Sequence, residues 1–107
     1  MTRKTSLTEL RNEITRVTLE ITRLCGERLQ LAKSIGEIKA RENLPVESPK
    51  FEEDLRSEVL SICQTYGLDR GFCLKLLDLL LDESKRVQRD LLGPKTRNMR
   101  GFRRYKT

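Results

Sequence analysis

The sequence predicts an all-α protein with three helices per chain, a long first helix, and an antiparallel bundle shared between two copies. Three observations predict it. Apolar residues recur in alternating steps of three and four from Leu7 to Ile38, the mark of one helix face sustained over successive heptads. Two shorter stretches of helical period follow, each between start and stop signals. Strand-like alternation, internal repeats and a Gly-rich phosphate loop are all lacking in the sequence.

The first helix begins at Ser6, whose spacing to Glu9 fits a capping box. Its stripe is Leu7, Leu10, Ile14, Val17, Ile21, Leu24, Arg28, Leu31, Ile35 and Ile38. The helix should run to about residue 42, where Asn43 and Leu44-Pro45 stop it. "NLPVESPK" reads as a loop. The second helix starts with Ser48 as N-cap and Pro49 in its first turn, shows Phe51, Leu55, Val59, Ile62 and Tyr66 on its apolar face, and closes at Gly67. Asp69 caps the third, whose stripe is Cys73, Leu76, Leu77, Leu80, Val87 and Leu91, with Ser84 and Gln88 inside it. Gly93-Pro94 ends that helix.

Length and charge set the domain plan. A chain of 107 residues makes one domain, and we expect it at residues 1–93, followed by a basic tail at 94–107. Residues 95–107 carry six Lys/Arg and no acid, while the rest balances 16 Lys/Arg against 16 Asp/Glu. The tail is thus the basic part, free of apolar period. No apolar run approaches the ~20 residues that span a bilayer, and the N-terminus lacks a secretory signal. Cys25, Cys63 and Cys73 are odd in number and lack CxxC spacing, which fits reduced thiols in a cytoplasmic protein. There is no histidine, so the commonest general base and the commonest metal ligand are missing. Any chemistry here should need little proton transfer.

A first helix of this length spans ~54 Å, and two helices half as long cannot cover its stripe. A second, antiparallel copy is the simplest cover. Arg28 sits in that stripe, with no acid on it to pair. Lys39 is 11 residues on, close to three full turns, so both face the same way with Cα atoms ~16 Å apart. Each of Arg28, Lys39, Ser84 and Gln88 has an ordinary explanation alone, as a snorkelling cation, a surface lysine, a backbone-bonded serine or a half-exposed glutamine. Together they suit a small dicarboxylate, since an unpaired buried cation costs several kcal/mol and guanidinium binds carboxylate bidentately. Arg11 flanks the stripe ~42 Å from Lys39. It can reach such a pocket only from an antiparallel partner whose helix crosses near Ile21 or Thr22.

With these residues in place, the chain resembles the all-helical class of chorismate mutases. The likeness lies in "LTELRNEITRVTLEITRLCGERLQLAKSIGEIKA", "SPKFEE", "GLD" and "ESKRVQRDLL", and covers roughly residues 6–92. It implies an intertwined antiparallel homodimeric bundle in which each pocket borrows one arginine from the other chain. It also implies an isomerase of aromatic amino acid biosynthesis, in the shikimate pathway, that converts chorismate to prephenate by a Claisen rearrangement without cofactor or metal. By this resemblance Arg28 and the partner copy's Arg11 hold the two carboxylates, and Ser84 assists one. Lys39 contacts a carboxylate and the ether oxygen, Gln88 donates to that oxygen, and Glu52 accepts from the ring hydroxyl.

One stretch departs from the family pattern Asp-Pro-x-Arg-Glu. Ser48 stands for the aspartate, among the substrate-binding positions, and Phe51 for the arginine. Lys50 next door is the candidate replacement cation. The altered stretch also motivates a lyase on the same scaffold that releases pyruvate from isochorismate. A third reading is a non-catalytic helical dimer whose tail, with Phe102 and Tyr105 among its cations, binds RNA or another polyanion. Apart from such tail contacts, neither nucleic acid nor membrane is an expected partner.

Overall fold

Helix α1 (Leu7–Arg41) opens on a reciprocal pair of bonds. The Glu9 N–H donates to Ser6 Oγ at 3.1 Å, and the Ser6 N–H donates to Glu9 Oε1 at 3.0 Å. Two otherwise unpaired groups at the helix start are thereby satisfied. Helix α2 covers Pro49–Thr65 and helix α3 covers Arg70–Asp90. The computed structural model describes residues 5–91, and no strand occurs among them. The expected Gly93-Pro94 stop and the tail at 94–107 lie outside the described residues. Among the described residues, no helix is long and apolar enough to cross a membrane.

Both inter-helix turns use a left-handed residue just past the helix. Asn43 has φ 61° and Gly67 has φ 65°. At each, the next residue's N–H reaches back to a carbonyl of the last turn: Leu44 to Lys39 at 2.7 Å, and Leu68 to Cys63 at 2.9 Å. This double-bonded closure consumes carbonyls that a helix end leaves open. At Gly67 an L side chain would be strained; Asn43 is among the few residue types that tolerate the conformation. Asp69 caps α3 by accepting from the Phe72 N–H at 2.9 Å.

The start of α2 corrects one expectation. Ser48 precedes the helix and Pro49 lies in its first turn, but the Ser48 side chain makes no capping bond. Its hydroxyl is engaged by Lys39 instead.

Helix α3 is the hub, packing against both α1 and α2. Its inward face is Cys73, Leu77, Leu81, Ser84, Val87 and Gln88, all buried. Leu76, placed in the stripe by sequence, is 41% exposed, and Leu81 is the buried residue there. On α1, the residues pressed against α3 are Ala32 and Gly36, not the heptad stripe. Gly36 lets the helices touch: a Cβ there would stand 3.1 Å from Gln88 Cγ and 3.3 Å from Gln88 Cα. The apolar members of the stripe from Leu7 to Ile38 stay exposed, Ile14 to 68%. The inward side of α2 is likewise rotated from the expected one. Cys63 is buried and Leu55 and Val59 are half-buried, whereas Phe51, Ile62 and Tyr66 are exposed. Cys63 and Cys73 are buried free thiols, and burial together with the neighbouring Cys63 pushes the Cys73 thiol up.

Candidate active site

Ser84 and Gln88 are one turn apart on the inward face of α3, the face that packs against α1. The α1 residues they meet are the two cations. Arg28 Nη1 donates to the Leu80 carbonyl at 3.0 Å and to Ser84 Oγ. Both Nη1 protons are therefore spent on α3, and the Nε and Nη2 protons remain for an anion.

Lys39 is held more completely. Its ammonium donates to the Val46 carbonyl at 2.7 Å, to Gln88 Oε1 at 3.0 Å and to Ser48 Oγ at 3.1 Å. An ammonium has three protons, and here three acceptors take them. None of the three is charged, so no protein carboxylate bonds directly to this cation. Because lysine only donates, Gln88 must turn its oxygen to Lys39, which leaves its amide nitrogen as the remaining donor. Burial lowers the Lys39 pKa from the ordinary 10.5; Lys85 adds to this, and Glu52 and Glu47 oppose it.

These groups line a cavity of ≈ 370 Å³ between α1, the 42–48 loop, α2 and α3. That size suits a small organic molecule. Arg28, Lys39, Ser48, Glu52, Ser84 and Gln88 all line it. Leu31, Ala32, Ile35, Val46, Phe51 and Leu81 form its apolar walls. Polar donors set in an apolar wall act on an anion at reduced dielectric, where they are worth more than in water. Arg11 is not part of the cavity within one chain. It is exposed on α1, ~26 Å along the axis from Arg28. Among the described residues, no cluster of His, Cys, Asp or Glu could hold a metal ion.

Lys50 is not the replacement cation. It pairs with Asp54 at 3.0 Å on the outer face of α2, one residue round from Phe51, and is 83% exposed. The cation beside Phe51 and Glu52 is Lys85, which sequence reasoning passed over. Its Nζ lies 3.1 Å from Glu52 Oε2 and 2.9 Å from Glu47 Oε1. A usable signal existed, since Lys85 falls four residues after Leu81 and three before Gln88, on their face.

Comparison with known proteins gives the site its context. The profile of the family described as chorismate mutase type II matches residues 10–89. The chain is 28% identical over 86 residues to a chorismate mutase of Methanocaldococcus jannaschii, covering 80% of this chain and 87% of that protein. It is 48% identical over 62 residues to a bifunctional chorismate mutase/prephenate dehydratase of Aquifex aeolicus, covering 57% of this chain and 17% of that protein. The Escherichia coli bifunctional chorismate mutase/prephenate dehydratase is 28% identical over 92 residues, covering 86% of this chain and 24% of the enzyme. The chain thus spans less than a quarter of the length of these bifunctional relatives. No solved structure matches it. The family profile covers nearly all of the three helices and every charged residue of the cavity, and the chain belongs to the chorismate mutase type II family.

Proposed function

We propose that the chain works as a homodimeric chorismate mutase whose pockets are completed by Arg11 of the partner copy. Family membership supplies the reaction, isomerisation of chorismate to prephenate. In this Claisen rearrangement a carbon–oxygen bond of the ether breaks as a carbon–carbon bond forms, within one molecule and with no proton or electron exchanged. The protein's task is to hold a compact conformer and to stabilise negative charge growing on the ether oxygen.

The observation that carries the reading is Lys39, a buried-side cation without a bonded protein carboxylate, next to a Gln88 amide turned to donate. In the proposed roles, Arg28 takes one substrate carboxylate with its Nε and Nη2 protons, and Ser84 steadies Arg28. Arg11 from the partner copy takes the other carboxylate. Lys39 and Gln88 flank the ether oxygen, Ser48 tethers Lys39, and Glu52 accepts from the ring hydroxyl.

The dimer is supported by what the single chain leaves bare. Leu7, Leu10, Ile14, Val17, Ile21 and Leu24 are each 42% exposed or more. Burying one such side chain is worth ~1.5–3 kcal/mol. Phe72, Leu76 and Leu79 make a second exposed row on α3, of helical spacing. An antiparallel copy brings the two rows together and sets Arg11 beside the opposite cavity. The bundle is proposed as the domain 1–93, and the basic residues 94–107 as an appendage to it.

Incubating purified protein with chorismate tests the activity. Loss of chorismate absorbance with prephenate as product is expected, and a folded protein that gives none overturns it. Isochorismate run in parallel should release no pyruvate.

A further inference from the structure

The cavity has a third cation besides Arg28 and Lys39. Lys85 lines it from α3, with its side chain only 19% exposed, as is that of Glu52. Both nearby carboxylates are bound to it: Glu52 through two oxygens at 3.1 and 3.2 Å, and Glu47 at 2.9 Å. Arg89, one turn further along α3, takes the other Glu47 oxygen at 2.8 Å. Glu47 belongs to the loop that supplies Val46 and Ser48 to Lys39.

The charges around Lys39 are therefore sorted. The charged groups that act on it are Glu52 from α2, Glu47 from the loop and Lys85 from α3. The two acids are the protein's natural counterions for Lys39. Either one bonded to it would neutralise the charge meant for substrate.

We propose that Lys85 is a positioning residue that withholds Glu47 and Glu52 from Lys39, so that the Lys39 charge stays available to the anionic substrate. The proposal deepens the chorismate mutase reading and rests on it. Electrostatics agree, since Glu47 and Glu52 raise the proton affinity of Lys39 and Lys85 lowers it.

The test compares wild type with Lys85→Met, Lys85→Arg and the double variant Lys85→Met/Glu47→Gln. Circular dichroism and thermal unfolding identify the folded variants. Lys85→Met should raise KM for chorismate about tenfold with a smaller change in kcat, as expected when a binding cation is neutralised in the free enzyme. It should also move the alkaline limb of kcat/KM to higher pH, because Lys39 then gains a carboxylate partner. Lys85→Arg should restore KM to near wild type. Adding Glu47→Gln to Lys85→Met should recover part of the lost affinity, a coupling that independent sites do not show. A merely structural Lys85 would leave the alkaline limb in place and make the double variant worse. Either result, or a Lys85→Met enzyme with wild-type KM, overturns the proposal. If Lys85→Met does not fold, Lys85→Gln with the same readouts decides the question. A wild-type protein that is itself inactive overturns instead the functional reading beneath it.

Discussion

Gln88 Oε1 stands 3.0 Å from Lys39 Nζ, joining the last turn of α3 to the last turn of α1. The bond orients both partners: the ammonium is drawn into the cavity wall, and the amide is turned so that its nitrogen can donate. A residue that aims charge at a developing oxyanion contributes on the order of 100-fold or more to rate. Lys39→Ala should therefore lose at least about 100-fold in kcat while keeping its circular dichroism spectrum. Unchanged activity in a folded Lys39→Ala protein removes Lys39 from the mechanism.

Activity should fall on the alkaline side earlier than an ordinary lysine allows. Burial, with Lys85 adding to it, lowers the Lys39 pKa from 10.5. In the role proposed for Lys39 the charged form is the competent one, so activity should be full below the lowered pKa and lost as pH rises through it. The measurement is kcat/KM against pH, with the alkaline midpoint expected below 10.5. In Lys39→Arg, whose guanidinium stays charged, whatever activity survives should show no such limb.

Gly36 and Gly26 should respond in opposite directions to alanine. At Gly36 the new methyl meets Leu91 Cδ1 at 2.9 Å and the Gln88 backbone at 3.3 Å. The Leu91 tip can swing away, but the Gln88 Cα moves only if α3 moves. Overpacking costs ~1–3 kcal/mol, more than the ~0.5–1 kcal/mol that alanine gains over glycine in a helix. Gly36→Ala should lower Tm and, by displacing Gln88, lower kcat. A methyl at Gly26 would meet nothing within 4 Å beyond its own helix turn, so Gly26→Ala should raise Tm. Thermal unfolding of the pair checks both signs.

Much of this was readable in the sequence because it depends on local spacing. The Ser6–Glu9 box, the Asp69 cap and the stops at Asn43 and Gly67 lie within one turn of the bonds they make. Arg28, Lys39, Ser84 and Gln88 are legible as a set because 11-residue and four-residue steps return to the same face. What periodicity leaves out is which neighbour a face meets. The heptad stripe of α1 reads as a surface to be buried, yet inside one chain α3 packs on the narrow Ala32–Gly36 side. That contact is set by the absence of side chains, which a search for apolar residues overlooks. Ser48 reads as a cap by position, but a lysine nine residues earlier claims its hydroxyl. Lys85 escaped notice because its partners, Glu47 and Glu52, are distant in sequence and belong to other elements.

The exposed α1 stripe predicts a dimer in solution. Light scattering during size exclusion should give twice the chain mass of 12.5 kDa. Ile14→Glu, which sets a charge in that stripe, should shift the protein toward monomer and abolish activity without touching any residue of the cavity. An active monomer is incompatible with a shared pocket.

The central claim is that each pocket takes Lys39 from one copy and Arg11 from the other, and subunit complementation tests it most directly. Arg11→Ala and Lys39→Ala are each expected to be nearly inactive alone. Unfolded together and refolded in equal amounts, they should form mixed dimers with one intact pocket out of two. With about half of the dimers mixed in this way, activity should return to about a quarter of wild type. A refolded mixture no more active than its separate components contradicts the account.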